Sequence, residues 1–270
     1  MIDVVIDRVE SVLNAASELA ALFSDQPSSR RTGDLTAFRR LLESDDRAAV
    51  SARRFPSDRR RTLAGRLALR ALLLDRLGRT WRDLPDLRVR RACTSCGESH
   101  GQPRYPSVSM SSATSGVWVM AAVATERATV GADIEVVRPS TWTGFDAAVL
   151  HPAEREHFAA HGLGAHSRLQ RWADKEAALK ASGIGLLADP TAVRIAERSG
   201  RRTVLHMSSA SSLPDSSLGW RPLLEAPEQV SDGLAVAAMN DVAGGGAFVA
   251  SLAAARPESV RLRSFAALNL

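Results

Sequence analysis

Residues 3–10 (DVVIDRVE) alternate apolar and polar positions well enough to predict a first strand. From 11 to 60 the spacing turns helical, broken at Gln26-Pro27-Ser28-Ser29 and at Gly33-Asp34. The stretch DRRRTLAGRLALRALLLDRLG predicts a strong helix with Asp58 as cap and Gly78 as stop. Its Leu63, Leu67, Leu69, Leu73, Leu74 and Leu77 cover one broad side, leaving the others to Arg59, Arg60, Arg61, Arg66 and Arg70. Residues 87–92 predict a strand and 93–106 (CTSCGESHGQPRYP) a turn-rich segment. Strands follow at 117–125, long and apolar, and at 130–136. Helices are expected over 153–161 and 167–182, the second with Ser167 as cap and Gly183 as stop. Short strands at 192–196 and 202–207, a Ser-rich loop over 208–217, and a hairpin of 233–239 with 247–255 close the pattern, the hairpin turning at Gly244-Gly245-Gly246.

The expected fold is α+β (α/β): two similar subdomains side by side, residues 1–115 and 116–255, with the site at their interface and 256–270 as a loose tail. With 270 residues, 45% of them hydrophobic and 24% charged, the chain can bury a real core. The longest apolar run, 117–124, is eight residues against the ~20 of a spanning helix, so no membrane helix is expected. Met1-Ile2-Asp3 opens on an acid with no basic region before an apolar block, so no secretory signal is expected. Two cysteines make no disulfide framework, and a reducing cytoplasm is the default location.

Charge is uneven. Residues 30–91 carry 18 Arg against eight acids, an excess of ten that would attract phosphates, nucleic acid or an acidic protein unless it is merely a solvated helical face. Lysine occurs only at Lys175 and Lys180, leaving 33 arginines among the 35 basic residues. Genome composition accounts for much of such a bias, but not for both lysines falling in one six-residue window.

That window belongs to Trp172-Ala173-Asp174-Lys175-Glu176-Ala177-Ala178-Leu179-Lys180. At helical spacing Trp172, Glu176 and Lys180 form one i, i+4 stripe, which by itself is also what an exposed ion pair beside a Trp looks like. A site needing a compact, titratable ammonium near phosphate would take Lys where the rest of the chain takes Arg. A second constellation is Gly131-Ala132-Asp133-Ile134-Glu135. On a strand Asp133 and Glu135 share a face while Ala132 and Ile134 turn to the core. Two carboxylates aimed together repel unless a cation lies between them, and Mg²⁺ is the common solution; the alternative is a wet strand edge.

Together these motifs resemble the Sfp-type 4′-phosphopantetheinyl transferases. Gly183-Ile184-Gly185-Leu186 extends the likeness, as do the Asp58-Arg59-Arg60-Arg61 helix start, the Cys93-x2-Cys96-Gly97-x2-His100-Gly101-x-Pro103 turn and Val108-Ser109-Met110-Ser111, so that it covers residues 35–250. The resemblance implies a pseudo-dimeric α/β enzyme that transfers the phosphopantetheine arm of coenzyme A to a serine of an acyl or peptidyl carrier protein in polyketide or non-ribosomal peptide pathways. Adenosine 3′,5′-bisphosphate is the other product. By position, Asp133, Glu135 and Glu176 would hold Mg²⁺, with Mn²⁺ as the alternative cation. Glu176 would also be the base, directly or through water, and Lys180 would steady or protonate the leaving phosphate. Arg61 and Thr62 fall on the adenine and 3′-phosphate side, and Gln102, Ser109, Met110 and Lys180 on the coenzyme A path. Gln102 and Met110 stand where the family carries a lysine and a histidine, and each lost charge-assisted hydrogen bond would cost about 1.5–3 kcal/mol.

A monomer without nucleic-acid or membrane partners is expected. The rival readings are a coenzyme A-binding relative without turnover and an Arg-rich nucleic-acid-binding protein. Only Phe38, Phe55 and Trp81 interleave the basic run, which is thin support for the latter. Cys93, Cys96 and His100 have partial zinc spacing but one ligand too few for a closed structural site, so a tight turn is expected. His151, His157, His161 and His166 are expected at the surface.

Overall fold

The computed structural model describes residues 1–22, 38, 41–93, 96–125, 128–196, 210–213, 221–227, 234–239 and 246–268. β1 (Ile2–Arg8) runs straight into α1 (Val9–Leu22), and α2 (Ser44–Ser51) leads to the long α3 (Pro56–Leu77). Gly78 ends α3 as expected, at φ 63 and ψ 30, where glycine meets no steric penalty. The helix begins earlier than expected, with Pro56 in its first turn after Phe55, and Asp58 pairs with Arg61 instead of capping. Next come β2 (Arg90–Arg91), β3 (Pro103–Tyr105), β4 (Val108–Ser115), β5 (Trp118–Thr125) and β6 (Gly131–Val136). After them stand α4 (Phe145–Val149), α5 (Pro152–Ala160) and α6 (Ala165–Ala181). The chain closes with β7 (Arg194–Ile195), β8 (Ala210–Leu213), β9 (Arg221–Glu225), β10 (Ala235–Ala238), β11 (Phe248–Ala254) and β12 (Val260–Arg263).

These strands form two sheets, ordered β2-β3-β4-β5-β1-β12-β8 and β6-β11-β10-β9-β7. Helices α1 to α3 cover the outer face of the first through a core that includes Leu63, Leu67, Leu73, Val119 and Val123. Helix α6 lies on the outer face of the second, over β6, β10 and β11. The inner faces meet through Val4, Met120, Ile134, Phe248 and Leu262. The fold is therefore mixed α+β, two sheet-based bodies each backed by helices. Among the described residues no helix is long and apolar enough to cross a membrane.

Three elements depart from the expected boundaries. Strand β5, expected with the second half, sits in the first sheet, antiparallel to both β4 and β1. The expected tail contributes β12, which lies parallel to β1 with Val260 opposite Ile2 and buries Val260 and Leu262. Its other neighbour, β8, falls in the stretch expected to be loop. The strand expected over 202–207 lies outside the described residues, as do Gly244 and Gly245 of the hairpin tip. The hairpin itself forms, Ala235 of β10 pairing with Ala254 of β11.

The serine-rich strand β4 explains how the two bodies join. Strand β6 is the edge of its sheet, paired on one side with β11. Facing β4, the N–H groups of Val130, Ala132 and Val136 donate to the hydroxyls of Ser109, Ser111 and Ser115 at 2.7, 3.0 and 3.1 Å. Side-chain oxygens thus replace the backbone carbonyls that a further strand would offer, and edge donors are satisfied without strand pairing. Ser111 is nearly fully buried. Ser111→Ala should therefore cost about 1–3 kcal/mol, because the Ala132 N–H is left in a buried position without an acceptor. Urea unfolding monitored by circular dichroism checks this.

Candidate functional site

The site starts from a glycine. A Cβ at Gly131, the first residue of β6, would be driven into the Ala177 carbonyl oxygen and lie 2.5 Å from the Ala181 nitrogen. The absence of a side chain lets the backbone of α6 rest directly on the strand. Helix α6 starts at Ala165 after Gly164 rather than at Ser167, and Gly183 (φ 79) follows its Ser182 cap.

With the helix seated this way, the Trp172, Glu176 and Lys180 stripe faces the Asp133 and Glu135 side of β6. Lys180 Nζ donates to Asp133 Oδ1 at 2.5 Å and lies 3.0 Å from Glu176 Oε2. Trp172 Nε1 donates to Glu135 Oε1 at 3.2 Å, and the Ser115 hydroxyl donates to Glu135 Oε2 at 2.7 Å. Ser115 is a site residue that sequence reasoning missed; its signal was the alternation of Ser109, Ser111 and Ser115. Asp133 is 3% exposed, and its Oδ2 has no hydrogen-bond partner among the described residues.

Two carboxylates, Asp133 and Glu176, flank one ammonium, and Glu135 adds its charge to Asp133 from along the strand. Burial and the charges of Glu176 and Glu135 push the Asp133 carboxyl up to about 7 against the pull of Lys180. Burial works against the Lys180 ammonium, but Asp133 and Glu176 hold it above the ordinary lysine range. Lys180 therefore stays charged, and the cluster as a whole remains short of positive charge.

The other lysine of the window lies elsewhere. Lys175 is fully buried, donating to Val149 O at 2.7 Å and Pro190 O at 2.9 Å and pairing with Glu154 Oε2 at 2.7 Å. Burial pushes its ammonium down to about 8 despite Glu154. Glu154 also binds Arg171 at 2.5 Å; burial would raise its carboxyl, but the two cations hold it below the ordinary range. Asp174 is equally buried, accepting from Arg221 and from Ser251 at 2.6 Å each. The Asp174 network ties α6 to β11 beside the stripe, and the Lys175 network ties it to Glu154 of α5.

The remaining predicted positions divide. Gln102 Nε2 donates to the Lys180 carbonyl at 3.3 Å, beside the site. The Ser109 hydroxyl is half-buried and holds the Val130 N–H. Met110 does not reach the site: strand alternation turns it away from Ser109 into the core under α3, fully buried, with no surface for coenzyme A. Arg61 and Thr62 are half-exposed on the early turns of α3, Arg61 engaged by Asp58. His151 caps α5 through Nδ1, and the rings of His157 and His161 lie 4.2 Å apart.

Residues 129–221, from the approach to β6 through α6 to the first residue of β9, match the family model of the 4′-phosphopantetheinyl transferase superfamily. No curated protein matches the chain. Residues 129–221 thus carry the domain of the 4′-phosphopantetheinyl transferase superfamily, whose enzymes move phosphopantetheine from coenzyme A to carrier proteins.

Two outcomes test this construction. Gly131→Ala should lift α6 off β6, lowering stability by about 1–3 kcal/mol in urea unfolding and activity more than in proportion. Lys175→Met should cost about 3–5 kcal/mol in the same measurement, since it removes one partner of a buried ion pair and strands two carbonyls.

Proposed function

We propose that the chain is an Sfp-type, Mg²⁺-dependent phosphopantetheinyl transferase acting in the cytoplasm, with Asp133, Glu135 and Glu176 as the cation's ligands. The observation that carries this is the Asp133 carboxylate. One oxygen is taken by Lys180 while the other is buried and unpartnered, in a cluster whose three acids, once all ionised, exceed its one base by two charges. A divalent cation supplies those two charges, and an all-oxygen donor set suits a hard ion such as Mg²⁺, or Mn²⁺. When bound, such an ion polarises the phosphate oxygens and offsets charge developing on them. Having two sheet-based bodies in one chain supports the Sfp type.

The residues divide the rest of the chemistry. The carrier serine oxygen forms a bond to the phosphorus bearing the pantetheine, and the bond from that phosphorus to adenosine 3′,5′-bisphosphate breaks. Glu176, 13% exposed, is the group best placed to take the serine proton, directly or through water. Lys180 remains charged and offers N–H donors to the leaving phosphate, and Ser115 and Trp172 hold Glu135 in place. Arg61 and Thr62 on α3 are proposed for the adenine and 3′-phosphate side. Part of the basic excess is used internally, Arg66 and Arg70 clamping Asp46 at 2.8 and 2.6 Å. Arg53, Arg54, Arg79, Arg82, Arg88 and Arg90 remain exposed, suited to an acidic carrier surface.

Mass spectrometry of an apo carrier protein incubated with this chain, coenzyme A and Mg²⁺ tests the reaction directly: the serine should gain one phosphopantetheine. Asp133→Asn should lower kcat by roughly a hundredfold or more, about 2.7 kcal/mol in barrier, without unfolding the chain. Lys180→Arg should keep Tm within a few degrees but lower kcat by roughly tenfold or more, about 1.4 kcal/mol, because the wider guanidinium would crowd the cation and the phosphate beside Asp133 and Glu176. Full kcat in both variants at low Mg²⁺ would return the cluster to a structural role.

A further inference from the structure

The connection between β2 and β3 gathers a second set of metal-ligating side chains, unlike the first in chemistry. From spacing alone Cys93-x2-Cys96-x3-His100 is expected to be only a tight turn. In the fold, one ligand atom from each of the three lies within 4.8 Å of the others, and Cys96 Sγ stands 3.0 Å from His100 Nε2. Both cysteines are thiols.

The backbone is wound to bring them together. Cys93 N–H donates to Glu98 O at 3.0 Å, Gly97 N–H to Cys93 O at 2.9 Å, and His100 N–H to Glu98 O at 2.7 Å. Gly97 at φ 76 reverses the chain just after the second cysteine, and Gly101 at φ 95 reverses it just after the histidine. At Gly101 a Cβ would also crowd the Ala92 carbonyl oxygen at 3.2 Å. A loop built only to turn needs neither two sulfurs nor an imidazole at its focus.

We propose that Cys93, Cys96 and His100 bind a Zn²⁺ ion that fixes this loop. Two thiolates and an imidazole, with water in the fourth position, are a zinc ligand set attested in catalytic centres, here put to holding a loop where a closed structural site would need a fourth protein ligand. The two thiolates balance the charge of the ion, and their softness selects zinc over Mg²⁺. The β6–α6 cluster, with oxygen donors only, has the opposite preference, so the two sites would not compete for one metal.

The loop's contacts say what the ion is for. Ser99 Oγ donates to Asp45 Oδ2 at 3.0 Å, tying the loop to α2. Two residues beyond His100, Gln102 reaches the Lys180 carbonyl at the end of α6. The ion would thus hold a bridge between the first body and the last turn of the helix that carries Lys180. It is a positioning element and touches no reacting atom.

Metal analysis tests the site apart from any transfer activity. Untagged protein purified without chelator should contain one Zn²⁺ per chain, Cys93→Ser and Cys96→Ser should each lose it, and Asp133→Asn should retain it. Co²⁺ added to the zinc-free protein should give the thiolate-to-cobalt charge-transfer band and the visible bands of a four-coordinate site, absent from both cysteine variants. Removing zinc from the wild-type chain should lower its melting temperature, and re-addition should restore it. A chain that takes up no Zn²⁺ and gives Co²⁺ no thiolate band overturns the proposal. So does zinc that persists when both cysteines are replaced, because the metal would then lie elsewhere.

Discussion

The contact between the backbone of α6 and the bare Cα of Gly131 decides where every charged group of the site stands. Because a Cβ there would strike the Ala177 carbonyl, the helix axis lies closer to β6 than any other residue at position 131 would permit. From Trp172 to Lys180 the stripe spans ~12 Å of helix, and from Asp133 to Glu135 the strand spans ~7 Å, a difference that the long Trp172 and Lys180 side chains make up. Helix and strand run in opposite directions, so Trp172 meets Glu135 and Lys180 meets Asp133. An i, i+4 pattern and an i, i+2 pattern become one surface.

That surface concentrates like charge, and the fold must hold it against its own repulsion. Lys180 offsets part of the burden from within. The rest of the support comes from other side chains of the same helix, with Asp174 locked to Ser251 and Arg221 and Lys175 to Glu154. Four charged positions of α6 therefore serve two ends. Asp174 and Lys175 are fully buried anchors whose loss would be felt in stability, whereas Glu176 and Lys180 face the cluster. The two lysines share a sequence window because both are needed on one helix, not because both serve one reaction.

This division shows what the sequence could and could not disclose. The stripe and the paired acids were legible because each follows the local period of its own element. Lys175 was not, since its partner Glu154 lies on another helix and nothing local marks it as buried. Strand β4 was hidden for a different reason: hydroxyls that serve as acceptors for β6 look, in sequence, like the polar positions of a loop. Had β4 been recognised, alternation would have sent Met110 to the core and left Ser109 and Ser111 facing β6. The parallel pairing of β12 with β1 joins the two ends of the chain, a contact that no local pattern encodes.

The hydroxyl ladder also gives the first body a part in the proposed chemistry of the second. Ser115 accepts the Val136 N–H and donates to Glu135, so one oxygen both satisfies the exposed edge of β6 and aims a carboxylate. Its neighbours Ser109 and Ser111 secure the same edge nearer Gly131, where the helix makes its closest approach. An edge strand without such acceptors would either recruit another strand or expose its donors to water, and in both cases its face would be free to shift. Capping the edge and orienting the acids are therefore one physical act. The site lies where the two bodies meet because only there can the serines of one reach the backbone that carries the carboxylates of the other.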